Sequence, residues 1–372
     1  MKSKSMPERS LSALVLPLLI AAHALGTGVA HAQTPPEQEA KPAKVPYTSA
    51  PVLGIRGEEF TINGKPEFLL GISAFDAVGN VQDSELDNLR SRGFRLMRVW
   101  GWHRQVTLNS QAPQISGKVP DNVLFRPDGS LDPATLAQLT DLLERAGRRG
   151  MVIDLTVFNA FDSFAEDYLN RCHKGLRELT AAVKGYPNLL LDLYNEHNNV
   201  GRIHPFPITH AEMARLVQIV KSVDPSRIVT VSSNHQEKNE LGKKTDREWQ
   251  EELATGIDCF APHLGRTANW AARTGPRVQH IVQLMQTLGH RIPIYLQEEA
   301  RRRHSGLNPT AEEFFQAAKA ARDNGAAAWT FHTDAGYHYA LGGLFERMDS
   351  VERAVVDGLA AHLASPASEQ KP

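Results

Sequence analysis

Residues 189–199 read LLLDLYNEHNN. The leucines suit a strand buried on both faces, yet the run passes without a break into Asn195, Glu196 and His197. Strands of this kind, apolar along their length and polar where they end, belong to parallel sheets covered by helices, whose functional groups gather at the carboxyl ends of the strands.

Seven more such runs lie along the chain. In order the eight are EFLLGIS (67–73), FRLMRVW (94–100), GMVIDLTVF (150–158), NLLLDLY (188–194), RIVTVSS (227–233), CFAPHL (259–264), IPIYLQE (292–298) and AAAWTFH (326–332). Between and after them, apolar residues recur at helical spacing, as in 132–150, 209–226, 276–290, 310–325 and 350–364. Several of these stretches start after Asp, Ser or Thr and end at Gly, and Gly93, Gly150 and Gly325 each sit just before the next strand. Eight strand–helix units predict an α/β protein of the (β/α)8 TIM-barrel type over residues 55–365. A doubly wound open sheet is the main rival, but GISAFDAVGN (71–80) after the first strand lacks the G-x-G-x-x-G spacing that cradles a pyrophosphate. Ahead of the barrel, EEFTINGKPE (58–67) places two extended pieces around Asn63-Gly64, so a short N-terminal β-hairpin is expected to plug the bottom of the barrel.

The chain of 372 residues is 41% hydrophobic and 22% charged, enough apolar content for a sizeable core. A net charge of −1 supplies no long-range field for nucleic acid or an anionic membrane, so neither is expected as a partner. Lys2, Lys4 and Arg9 lead into an apolar stretch ending in Ala30-His31-Ala32, which reads as a signal peptide over 1–32 cleaved before Gln33. Pro17 and Gly26 interrupt that stretch, which argues against a membrane anchor, and the expected location is secreted or periplasmic. Residues 33–54 read as a flexible Pro-rich leader, and 366–372 as a disordered tail. Cys172 and Cys259 could form a bridge or remain two buried thiols, and the sequence leaves both readings and the oligomeric state open.

Polar residues at strand ends carry the functional expectation. Glu196 closes the fourth strand, and YLQEEAR puts Glu298 and Glu299 at the close of the seventh. Two carboxylates converging over a barrel mouth suit retaining cleavage of a glycosidic bond: one protonated to release the leaving oxygen, one ionised to attack the anomeric carbon, about 5–5.5 Å apart. Asn195 could hydrogen-bond a sugar 2-hydroxyl. Strand parity aims Tyr295, Gln297 and Glu299 inward, which favours Glu299 as the partner of Glu196.

With these residues in view the chain resembles glycoside hydrolase clan A, in the style of the family-five cellulases and mannanases, from the Asn63-Gly64 hairpin to the last helix. The resemblance implies an exported retaining O-glycosyl hydrolase acting on a β-glucan or β-mannan, an oligo- or polysaccharide, without a cofactor. It implies Glu196 as acid/base after Asn195, and a nucleophile at the end of strand seven. Counting four residues on from Pro293, as the family pattern does, selects Glu298 and leaves Glu299 as the alternative. It also implies substrate-site roles for Arg98 on strand two, His263 on strand six and Trp329 on strand eight. Trp102, with Trp100, Phe158, Phe161 and Trp270, falls in or near upper loops that could build sugar subsites, with packing as the competing role. The chain departs from the pattern at His197 in place of a Pro, at Leu264 and Gly265 in place of a Tyr, and in TVFNAF, which lacks a His.

Two other readings compete. A noncatalytic carbohydrate-binding barrel would be favoured by loss of either carboxylate, and both are present. The fifteen histidines invite a metal-dependent hydrolase, but GISAFD has no His-x-His pair and His338 lies in a late loop without a close ligand partner, so no metal site is expected.

Overall fold

The computed structural model describes residues 50–103, 122–158, 168–199, 208–235, 243–304, 306–337 and 342–364. The signal-peptide reading, most of the leader and the tail lie outside them, as do Phe161 and His338. Three short antiparallel strands come first: β1 (Leu53–Arg56), β2 (Glu59–Ile62) and β3 (Lys65–Pro66). The turn between β2 and β3 is made by Asn63 and Gly64, both at positive φ (53° and 76°), and Asn63 Oδ1 accepts the Val52 amide at 2.8 Å. Asn and Gly tolerate this left-handed pair at least cost, which is why the dipeptide marks the hairpin. β1 begins at Leu53, inside the stretch read as leader, because Leu53 pairs with Ile62 and packs on the barrel floor.

The barrel strands are β4 (Leu69–Ser73), β5 (Leu96–Trp100), β8 (Val152–Phe158), β9 (Leu189–Tyr194), β10 (Ile228–Thr230) with its continuation β11 (Ser232–Asn234), β12 (Ala261–His263), β13 (Tyr295–Leu296) and β14 (Ala328–Phe331). β6 (Trp102–His103) and β7 (Asn122–Val123) form a separate two-stranded ribbon above the second strand. Parallel pairing runs β10-β9-β8-β5-β4-β14-β13. The ring closes through β11 on β12 and a parallel bridge from Phe260 to Ile294, so all eight predicted strands meet in one barrel. The fifth strand switches neighbour at Val231, pairing with the fourth strand before it and the sixth after it.

Helices α1 (Asp83–Ser91), α2 (Pro133–Arg148), α3 (Tyr168–Val183), α4 (His210–Val223), α5 (Lys243–Leu253), α6 (Trp270–Leu288), α7 (Ala311–Asp323), α8 (Leu344–Arg347) and α9 (Ser350–Ala364) pack around it. The predicted start signals operate: Asp132 accepts the Ala134 and Thr135 amides, and Thr310 forms a capping box with Glu313. α6 starts at Trp270, a turn and more before the expected Pro276, which is carried inside the helix. Cys172 and Cys259 are separate buried thiols.

Two apolar layers result. The large one lies between strands and helices. A smaller one fills the barrel floor, where Leu53, Phe60 and Ile62 of the hairpin meet inward side chains such as Leu69, Leu96, Val152, Leu190 and Ala328. The hairpin therefore closes the amino-terminal end of the barrel, and above this floor the interior turns polar.

Candidate active site

Alternation along the strands sends Arg98, Asp154, Thr156, Asp192, Tyr295, Gln297 and Thr330 into the barrel, all of them buried. Arg98 is the hub. Its Nε donates to Thr156 Oγ1 (3.1 Å), its Nη2 to Asp192 Oδ2 (3.3 Å) and Asn195 Oδ1 (3.0 Å), and its Nη1 to Glu298 Oε1 (2.5 Å). Asp154 Oδ2 lies 3.8 Å from Nε. Burial works against the charge on Arg98, but Glu298, Asp192 and Asp154 outweigh it and raise its pKa. Asp154, in turn, is pushed up to about 7 by burial, against the pull of Arg98. Asp192 is better served, accepting Thr156, the Ser232 hydroxyl and the Ser232 amide at 3.0 Å each.

The two adjacent glutamates part company. Regular pairing stops at Leu296, and strict alternation stops with it. Glu298 turns into the mouth, where Oε1 accepts Arg98 and Oε2 accepts Arg266 Nη2 at 2.7 Å. Burial would raise its pKa, but His263, His332, Arg98 and Arg266 overcome burial and hold it well below the usual carboxylate range. His332 is itself held well below the ordinary imidazole range by burial, with Arg266 and Arg301 adding to the effect. Glu299 points outward into the helix layer, accepting Thr274 Oγ1 and Trp329 Nε1 at 2.7 Å each, and burial raises its pKa. The parity argument that aimed Glu299 inward holds for Tyr295 and Gln297 and fails after Leu296, where the ladder that enforces alternation ends.

Glu196 sits at φ 46°, a left-handed backbone position that a non-glycine residue adopts only where its surroundings impose it. Ser232 provides the restraint, its hydroxyl 3.2 Å from the Glu196 amide and its carbonyl accepting the His197 amide. The carboxylate meets His263 Nδ1 at 2.9 Å through Oε1, while Oε2 accepts Asn199 Nδ2 (2.6 Å) and Asn234 Nδ2 (3.2 Å). Burial raises its pKa; when the His263 ring carries both its protons, its Nδ1–H bond and its positive charge lower it and prevail, with Glu298 pushing back up. One oxygen each from Glu196 and Glu298 and a ring nitrogen of His263 lie within 4.8 Å of one another. Three such groups could ligate a cation, but both oxygens of Glu298 already face a guanidinium, which supplies the positive charge that a metal would otherwise bring.

Of the expected substrate residues, Arg98, Asn195 and His263 converge here. Trp329 does not: its ring is buried among helix-layer side chains and its indole N–H serves Glu299, because odd-numbered positions of β14 face outward. Trp102 pairs with Val123 in the ribbon, and its side chain is outside the described set. Trp100 packs on Phe75, Phe158 stacks on Phe125, and Trp270 lies against Phe314 in the helix layer, all buried. His197 is buried too, its Nδ1 3.3 Å from the Ile208 carbonyl, and faces Glu252 away from the mouth.

Sequence reading missed Arg266, His332, Tyr337, Asn199 and Asn234. Tyr337 contacts His332 Nε2 at 3.1 Å, with its hydroxyl pushed up to about 12 by burial, and Arg301 lies 4.0 Å over its ring. Gly336 lets this segment close on the first strand, since a Cβ there would fall 2.2 Å from the Ser73 carbonyl oxygen. His332 was detectable, being the next inward position after Thr330 in AAAWTFH.

No family model and no curated protein matches the chain by sequence. Solved structures do match by shape. One described as a glycoside hydrolase is 13% identical with a TM-score of 0.59, covering 84% of this chain and 73% of its own. The β-mannanase of the blue mussel Mytilus edulis is 16% identical with a TM-score of 0.51, over 84% and 97%. The β-1,4-mannanase of the sea hare Aplysia kurodai is 17% identical with a TM-score of 0.53, over 82% and 96%. At these identities the likeness establishes the fold: the chain is an α/β barrel of the architecture on which these hydrolases are built.

Proposed function

We propose that the protein is an exported retaining glycoside hydrolase of the clan A type, cleaving a β-linked glycan of the glucan or mannan kind. The observation that carries this is the opposed pair Glu196 and Glu298, whose oxygens approach within 4.8 Å over the barrel mouth in contrasting environments. An approach that close between one oxygen of each is compatible with direct attack at the anomeric carbon, the retaining route that we propose. Glu298, kept ionised by Arg98 and Arg266, is the nucleophile, and Glu196 donates its proton to the glycosidic oxygen as the glycosyl-enzyme forms. Formation of that ester removes the charge of Glu298, which had opposed ionisation of Glu196, so Glu196 then acts as the base that takes a proton from water. Asn195, whose amide oxygen accepts from Arg98, is the proposed partner of a sugar 2-hydroxyl.

The test is hydrolysis of aryl β-glucosides and β-mannosides, and of defined glucans and mannans, with and without a chelator. Turnover that resists the chelator, with retained configuration in the first product, supports the reading. Chelator-sensitive turnover would favour a metal-dependent hydrolase, and sugar binding without turnover a noncatalytic barrel.

A further inference from the structure

Behind His263, on the side away from Glu196, lies a short polar chain that the two-carboxylate reaction does not by itself require. Gln297 Oε1 is 3.3 Å from His263 Nε2, and Gln297 Nε2 donates to Asp154 Oδ2 at 2.8 Å. Asp154 Oδ2 also accepts the Tyr295 hydroxyl at 2.9 Å, so two donors converge on one oxygen, with the Arg98 guanidinium charge 3.8 Å away. Oδ1 of the same carboxyl is buried with no hydrogen-bond partner among the described residues, so a proton on Asp154 would reside there and leave Oδ2 an acceptor.

This fixes the direction of the Gln297 amide. Its NH2 must face Asp154, and its carbonyl oxygen must therefore face His263. A carbonyl oxygen can only accept, so the hydrogen at that contact belongs to His263 Nε2. We infer that Gln297, oriented by Asp154, is a positioning residue that locks neutral His263 in the Nε2–H tautomer and turns a bare Nδ1 lone pair toward Glu196.

The consequence for Glu196 is one of sign, and it rests on the acid/base role proposed above. A lone pair at Nδ1 accepts from a protonated Glu196 and repels the carboxylate, so it favours the protonated form that a general acid must keep. The opposite tautomer would donate from Nδ1 and hold Glu196 ionised. Glu298 Oε2 lies 3.7 Å from the same nitrogen but accepts from Arg266, so it does not compete for the Nδ1 contact. When Glu196 gives its proton to the leaving oxygen, His263 keeps its Nε2 hydrogen throughout, and Asn199 and Asn234 on Oε2 stabilise the carboxylate that forms.

The full-length protein carrying 15N-labelled histidine tests this by long-range 1H–15N correlation, with the His263 signals identified by their loss in His263→Gln. At a pH where the ring is neutral, the protonated-type nitrogen is expected to be Nε2. Asp154→Asn, whose amide oxygen can still accept from Gln297, keeps that pattern. Gln297→Met, which offers no acceptor, shifts the ring toward Nδ1–H. In the same variant, glycosides with poor leaving groups lose rate on the order of tenfold more than activated aryl glycosides, since only the former need the acid. An Nδ1–H ring in the unsubstituted protein, or a tautomer unmoved by Gln297→Met, overturns the inference. The spectra decide this whether or not any glycoside is turned over, so a failure of the hydrolase reading would be seen separately.

Discussion

Arg98 and Glu298 are joined by a 2.5 Å hydrogen bond although 200 positions separate them in the chain, and the guanidinium has no exposure to solvent. The contact links the polar barrel interior to the mouth, and it sets the charge of the carboxylate that the proposed reaction uses to attack.

Replacing Arg98 by Met leaves Glu298, Asp192 and Asp154 buried without their shared counter-charge. Breaking a buried pair from one side costs about 3–5 kcal/mol, so urea unfolding of Arg98→Met is expected to show a loss of that order. A change under 1 kcal/mol would mean that the three carboxylates are already neutral in the fold.

Glu196→Ala removes the proposed proton donor but not the nucleophile. Its rate on substrates with poor leaving groups should fall by about 10²–10⁴, with far less effect on activated aryl glycosides. Equal slowing of both would contradict the acid role.

Asp154 has a folded pKa of about 7 against an ordinary 3.8, raised chiefly by burial. The folded state therefore holds this proton more tightly than the unfolded chain, and the associated stability is complete below 3.8 and lost as pH rises through about 7. Urea midpoints of Asp154→Asn should decline less across that interval than those of the unsubstituted protein. Parallel curves would show that Asp154 ionises alike in both states.

Trp329 lies in the helix layer, so Trp329→Phe should leave KM unchanged while costing about 1–3 kcal/mol of stability from the lost donor to Glu299. A rise in KM without that destabilisation would place a sugar ring against the indole instead.

The barrel was legible because its signals are local and repeated: eight apolar runs, helix caps at Asp132 and Thr310, and a turn at Asn63-Gly64 whose chemistry admits few alternatives. The convergence of Glu196, His263, Arg98 and Asn195 followed from strand order, since each ends or lines a strand that the topology brings to one mouth. What escaped depends on where a strand stops and how a loop folds back. Two inward steps were read correctly at Tyr295 and Gln297, but nothing in QEEA states that the ladder ends at Leu296 and sends Glu298 and Glu299 to opposite sides. Trp329 was assigned by residue type in a family pattern, and its own strand parity, the signal that would have corrected it, was not applied. Arg266 comes from a loop and Tyr337 from a single 3-10 turn over Ala335–Tyr337, both too short for periodicity, and only the folded chain brings them to Glu298 and His332.

The central claim is that Glu298, and not its neighbour, attacks the sugar across from Glu196. Azide added to Glu298→Ala should restore turnover of an activated aryl glycoside and give a glycosyl azide of inverted configuration, while Glu299→Ala should gain nothing from azide. Rescue with inversion in Glu299→Ala, and none in Glu298→Ala, would contradict it.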